Sequence, residues 1–131
     1  MKVWDWKIII TQQPIFTYKN KLQTMAQIKN IDGEILIDRP DLENFRGFNF
    51  SEMELPEAQF CGMDLTDADF SLCYLRDANF EGADLSNCYF LHSDCRGSNF
   101  KSTVRIGANF CGANVHDTVL EEESSYIPVV C

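Results

Sequence analysis

The chain has 131 residues, of which 45% are hydrophobic and 24% are charged. This length and composition fit one folded domain and exclude both a multidomain protein and a disordered chain. Eleven Lys and Arg against twenty Asp and Glu give a net charge of −9, which opposes direct binding to nucleic acid or to an anionic membrane and permits a cationic partner.

The first forty residues lack the regular pattern of the rest, and we expect residues 1–40 to form an N-terminal cap. The alternation of Trp4 and Trp6 fits half a strand, either packed within this cap or presented as an exposed aromatic arm for binding. The longest apolar run near the start is Ile8–Ile10, which is too short for a signal or membrane segment. We therefore expect a cytoplasmic protein.

A hairpin is predicted within this cap. The run Ile31–Glu34 (IDGE) lies between apolar flanks and has the composition of a turn, and Ile35–Ile37 fits the strand that follows it. The segment Tyr18–Lys29 fits a strand and also a short helix, in which Tyr18, Leu22 and Met25 would share one face.

From residue 41 to residue 120 the sequence divides into blocks of five without insertion. The fifth residue of a block is Phe or Leu in thirteen of the sixteen blocks, and the third is mostly small. A period of five fits neither an α-helix nor a simple alternating strand, so the chain must turn once per block. Gly, Asp or Asn occupies the second position of ten blocks, which predicts a turn residue with positive φ.

The sequence also repeats with a longer period of twenty residues. Fifth-position residues twenty apart form alternating Phe-rich and Leu-rich columns, which predicts four-sided coils with these side chains inside. The predicted structural core consists of Phe50, Phe70, Phe90, Phe110, Phe60, Phe80, Phe100, Leu55, Leu75, Leu65 and Leu85. Arg105 also falls at a core position, where we expect either a local bulge or a side chain that leans toward the C-terminal end and keeps its charge in water.

Blocks such as Thr66–Phe70 (TDADF), Arg76–Phe80 (RDANF) and Ile106–Phe110 (IGANF) resemble the pentapeptide repeat family. The resemblance implies an all-β fold, a right-handed quadrilateral β-helix of about four coils over residues 41–120. Residues 1–40 would then be the cap, and residues 121–131 a C-terminal tail or cap. It says less about function, because family members include DNA-mimicking topoisomerase inhibitors and developmental regulators.

No site for chemistry is predicted. The spacing of Cys88, His92 and Cys95 is similar to that of a zinc site, but the repeat directs the two cysteines inward and the histidine outward. We expect no metal, no cofactor and no catalytic residue, and therefore no enzyme. All six cysteines are expected to be free thiols in a reducing cytosol.

The surface offers better candidates for function. We predict an acidic face on one side of the middle coils, formed by Asp64, Asp67, Asp69, Glu81 and Asp84. A separate column of Arg76, Arg96 and His116 is basic and interrupts the negative field.

Two functional hypotheses follow. The first is a non-catalytic protein–protein interaction module that binds an unidentified protein through its flat walls and the Trp4/Trp6 arm. The alternative is an acidic DNA mimic that inhibits or protects a topoisomerase or another DNA-binding enzyme. Four coils at roughly 4.8 Å each span fewer than about six base pairs, so mimicry would require a dimer. We expect a monomer, or a dimer formed through a terminal segment.

Overall fold

The computed structural model describes residues 26–120, 127 and 131. Its first elements are two short strands, β1 (Ala26–Lys29) and β2 (Ile35–Arg39), which pair antiparallel with Ile28 opposite Ile37. The predicted hairpin is confirmed, and the turn between the strands contains Gly33 at a φ of +88°. The helical alternative is wrong for residues 26–29, whereas residues 18–25 lie outside the described residues.

A tight turn then recurs every five residues. In the first of them the amide of Phe48 donates a hydrogen bond to the carbonyl of Phe45 over 3.1 Å. The second residue of every block from Gly47 to Asp117 has positive φ, as the third residue of a type II turn requires. Even Leu72 and His92 adopt this conformation, although a side chain there costs roughly 1–2 kcal/mol. The repeat therefore imposes the turn where the local residue does not favour it.

Successive coils pair through their fourth-position residues. Parallel β-bridges join residues twenty apart, from Asn49 with Asp69 to Asn99 with Val119. At the first bridge Phe50 donates its amide to the Asp69 carbonyl over 2.7 Å, and Asp69 donates to the Phe48 carbonyl over 3.0 Å. A coil is thus twenty residues long, and the described chain contains strands and bridges but no helix. This is a β-helix-type fold, and none of the described residues belongs to a helix that could cross a membrane.

The interior is filled by two columns of phenylalanine. In one column the ring of Phe90 is parallel to those of Phe70 and Phe110, with centroids 5.0 and 4.5 Å away. Rings of the other column meet this column edge to face, as Phe80 does with Phe90 at 5.8 Å. All eleven residues that the sequence places in the core are at most 2% exposed.

The hairpin lies against the first coil. Gln59 donates its amide to the Lys29 carbonyl over 2.8 Å in an antiparallel bridge. Ala26 and Ile28 belong to the same buried cluster as the phenylalanines. The edge of the coil at Gln59 is therefore paired rather than open to other chains.

Arg105 interrupts the core without disturbing the repeat. Val104 still bridges Asp84 and Gly107 still forms the next turn, so the expected bulge is absent here. The guanidinium donates to the Phe100 carbonyl over 3.0 Å and to the hydroxyl of Thr103. The side chain is half-buried and holds the neighbouring turn.

The expectation of six free thiols is wrong for one pair. Cys111 and Cys131 form a disulfide with their Cα atoms 5.1 Å apart, whereas the other four cysteines are free. The two bonded residues are twenty positions apart, which is one coil. The sequence shows this spacing, although Cys131 lies beyond the last regular block.

Candidate interaction surfaces

The predicted acidic residues occupy two adjoining walls of the solenoid. Asp64 and Asp84 are bridge partners in successive coils, so their side chains lie one above the other. Asp69 belongs to the next wall, where it bridges Tyr89. Asp67 lies in the turn before Asp69, and Glu81 in the turn before Asp84. The five residues thus lie on two adjoining walls and in the turns next to them.

Three of these carboxylates also support the backbone. Asp64 accepts hydrogen bonds from the amide and hydroxyl of Thr66, over 3.1 and 2.7 Å. Asp84 binds Ser86 in the same way, and Asp69 accepts from the amide of Ser71 over 2.9 Å. Such bonds from an Asp or Asn to the amide two residues later stabilise turns.

Asparagine makes the same bond elsewhere in the solenoid. The fourth-position asparagines that do so are Asn44, Asn49, Asn79, Asn99, Asn109 and Asn114. Because a neutral amide serves equally well, the turn requires an oxygen acceptor and not a negative charge. Asp and Asn are therefore frequent at the fourth position for a structural reason, and the acidic residues there are not only surface charges.

Neighbouring side chains keep Asp64 ionised and partly neutralise it. The hydrogen bond from Thr66 is the main cause that lowers the pKa of Asp64, and the charge of Arg46 adds to it. The Arg46 guanidinium lies 3.7 Å from the carboxylate. The acidic face is thus not uniformly negative.

The basic column lies along one corner. Arg96 binds Asp94 through two hydrogen bonds of 2.8 and 2.6 Å, and this contact is the main cause that lowers the pKa of Asp94. A concavity at this corner is lined by Arg76, Asp77, Arg96, Gly97, Asn114, His116 and Asp117. Since charges of both signs line it, the concavity has no strong preference for an anion or a cation.

A group of exposed apolar side chains lies at another corner. Leu72 is 56% exposed, Tyr89 is 49% exposed and Tyr74 is 39% exposed. The amide of Leu72 donates to the carbonyl of Leu91, which places Leu91 beside it in the next coil. Leu91 itself is half-buried. We call these four residues the apolar corner. The sequence carried a signal for it, because Leu and Tyr replace the usual Gly, Asp or Asn at turn and wall positions.

The remaining sequence candidates are dispersed. Cys88 and Cys95 are buried and His92 lies in a turn. No group of three or more metal-binding side chains occurs within the described part of the chain. Burial raises the pKa of Cys73 to about 11 and of Cys88 to about 12, so these thiols stay protonated. Trp4 and Trp6 lie outside the described residues.

The repeat region is similar to a protein family and to solved structures. A family model described as Pentapeptide repeats matches residues 44–82 and 78–117, in eight copies. A solved pentapeptide repeat protein from the Arabidopsis thaliana thylakoid lumen is 25% identical, with a TM-score of 0.31 over 57% of this chain and 45% of that one. HetL, a pentapeptide repeat protein of the cyanobacterium Nostoc involved in heterocyst differentiation regulation, is 24% identical, with a TM-score of 0.27 over 56% and 45%.

The chain spans less than half the length of either solved structure. The comparison with curated proteins gave no match.

Proposed function

Because the chain belongs to the pentapeptide repeat family, whose model matches residues 44–82 and 78–117, we propose that it is a non-catalytic protein-interaction module. The observation that carries this proposal is the apolar corner on a solenoid whose interior is already filled. Phenylalanine, leucine and small side chains occupy the inside of the coils. The surface available to a partner is therefore made of flat walls and corners.

The composition of the apolar corner suits a protein contact. Tyrosine supplies a large apolar ring with a polar tip, and it is enriched among the residues that dominate binding energy at interfaces. Tyr74 and Tyr89 lie on parallel β-bridges that hold their backbone in place. A partner would thus meet side chains on a rigid scaffold, with little ordering cost on this side. The partner is a protein, and we propose no direct contact with nucleic acid or membrane.

A comparison of surface variants tests this proposal. A binding protein is first captured with the wild-type chain, purified, and titrated against three forms of the chain. We expect the variant Leu72→Ser, Tyr74→Ser, Tyr89→Ser to bind at least tenfold more weakly than wild type. The matched control is Ile106→Ser, which removes an apolar side chain that is 75% exposed outside the corner. Equal affinity of the partner for wild type and for the triple variant would show that the apolar corner is not part of the binding surface.

The DNA-mimic alternative is supported by one observation, the stacking of Asp64 above Asp84 in successive coils. The test measures inhibition of a purified topoisomerase by wild type and by a variant with Asn at residues 64, 67, 69 and 84. Asn preserves the turn-stabilising bonds, so the variant removes charge without removing their acceptors. Mimicry predicts inhibition that is lost in the variant and weakens steeply with added salt. Inhibition that survives both changes would contradict it.

We also propose the finer organisation of the fold, namely four right-handed coils over residues 41–120 between a cap at 1–40 and a tail at 121–131. The contact of Lys29 with Gln59 supports the cap, and the buried side chain of Ile127 supports the tail. A dimer through a terminal segment and a cytoplasmic location stay predictions. In a reducing cytosol Cys111 and Cys131 are expected to be free thiols, and in an oxidising compartment their bond is expected to persist.

A further inference from the structure

The disulfide joins the tail to a corner of the last complete coil. Cys111 is the first residue of its block, in the column that contains Ser71 and Leu91. Its carbonyl accepts a hydrogen bond from His92, and its amide is bound by the side chain of Asn109. Cys111 is therefore fixed within the repeat, and Cys131 is the exposed end of the bond.

The burial of Ile127 differs from what the repeat pattern predicts at its position. Continued in steps of twenty, the column of residue 127 contains Asp67, Asn87 and Gly107, all exposed turn residues. Ile127 instead is 6% exposed and belongs to the core cluster, together with Phe110 and Ala113 of the last coil. The repeat pattern therefore does not account for the burial of Ile127, whereas Cys131, four residues later, is bonded covalently to the coil.

The other cysteines do not offer a comparable site. Cys73, Cys88 and Cys95 are buried, and the first two donate their thiol hydrogens to carbonyl groups of the preceding coil. Cys61 is exposed and free. Among the described residues, Cys111 and Cys131 are the one pair that reversible oxidation links.

We propose that the Cys111–Cys131 bond is a redox-sensitive latch that holds Ile127 over the C-terminal end of the core. A thiolate of a dithiol reductant attacks the exposed sulfur of Cys131, and the sulfur of Cys111 leaves as a thiolate that takes up a proton. The second thiol of the reductant loses its proton and displaces Cys131 from the mixed disulfide. Two electrons and two protons pass to the protein, and the reductant becomes a disulfide.

Opening the latch changes the surface of the protein. Without the bond, Ile127 is free to leave the core cluster, and the side chains that it packs against lose their cover. The reduced protein then presents an apolar end that the oxidised protein lacks. This inference does not depend on the apolar corner, because that corner keeps its bridges in both states.

Amide hydrogen exchange of the full chain, oxidised or reduced with dithiothreitol, tests the latch. We expect reduction to accelerate exchange at least tenfold in peptides that contain Ala113 and Ile127, and to leave peptides around Phe70 unchanged. The variant Cys131→Ser should match the reduced wild type in both conditions. The control Cys61→Ser should respond to reduction as wild type does.

Three results would overturn the proposal. The first is equal exchange of the oxidised and reduced wild type at Ala113 and Ile127. The second is faster exchange throughout the solenoid on reduction, which would make the bond a staple of the whole fold and not a local latch. The third is alkylation of Cys111 and Cys131 by iodoacetamide in the air-oxidised protein. The first two results need no variant, so the test stands even where Cys131→Ser folds poorly.

Discussion

Replacement of Phe90 by alanine tests the stacked core directly. Phe90 lies between two parallel rings, with Phe70 at 5.0 Å and Phe110 at 4.5 Å, and it meets Phe80 and Phe100 edge to face at 5.8 and 6.0 Å. The side chain is fully buried. Truncation therefore removes a ring with four aromatic neighbours and leaves a cavity.

The surrounding coils have little freedom to close that cavity. Tyr89 bridges Asp69 on one side and Asn109 on the other, so the spacing of the three coils is set by backbone hydrogen bonds. Buried Phe→Ala substitutions cost about 3–5 kcal/mol, and the cost rises with the cavity that persists. We expect Phe90→Ala to fall in the upper half of that range. Phe90→Leu retains apolar volume but loses the ring pairs, and should cost about 1–3 kcal/mol.

Urea unfolding followed by far-ultraviolet circular dichroism measures these free energies. The matched control is Phe110→Ala, because Phe110 has two ring neighbours among the described residues, Phe90 at 4.5 Å and Phe100 at 5.7 Å, where Phe90 has four. In a solenoid whose coils contact only their neighbours, the Phe110 variant should lose less stability than the Phe90 variant. A loss below about 1 kcal/mol for Phe90→Ala, or a larger loss at Phe110, would refute the packing argument.

Four further predictions concern the turns, the charges and the disulfide. Asp84→Ala should lower the free energy of unfolding by about 1 kcal/mol, because the amide of Ser86 loses its acceptor. Thermal melts of Asp84→Asn should match those of wild type. If both variants lost the same stability, Asp84 would not stabilise the turn through this hydrogen bond. Gly62→Ala should cost about 1 kcal/mol from its positive φ alone, and Gly97→Ala should melt lower still because the new methyl meets the Asp77 carboxylate. The hydrogen bond from Arg96 lowers the pKa of Asp94. The ionised carboxylate therefore stabilises the folded protein above the ordinary pKa near 3.9, and this stabilisation is lost as the pH falls through the lower pKa of the folded state. The urea midpoints at pH 5 and pH 2.5 should differ less in Asp94→Asn than in wild type. Cys111→Ser should match Cys131→Ser in amide exchange, fast at Ala113 and unchanged around Phe70, whereas a loss of about 3 kcal/mol in the free energy of urea unfolding would show that the bond stabilises the whole fold.

The architecture was readable from the sequence because a repeat states the same local preference many times. One Phe or one Gly says little, but Phe50, Phe70, Phe90 and Phe110 at a constant interval can face the interior together only if the coil has that length. A period of five within a period of twenty is compatible with one arrangement of the chain, a four-sided coil of twenty residues. The sequence therefore determined the turns, the inward positions and the stacking order of the core.

Tertiary structure decided what the outward side chains do. The sequence shows Asp64 and Asp84 as charges, and only the coordinates show that each oxygen binds an amide two residues later. The exposed group of Leu72, Tyr74 and Tyr89 likewise depends on which walls meet at a corner. Ile127 lies beyond the last block, where the sequence predicts only a tail or cap, and the coordinates show that its side chain is buried. Beyond the last block no periodic preference remains, so only the coordinates show that Ile127 is buried and that Cys131 is bonded to Cys111, because both depend on contacts with residues distant in the sequence.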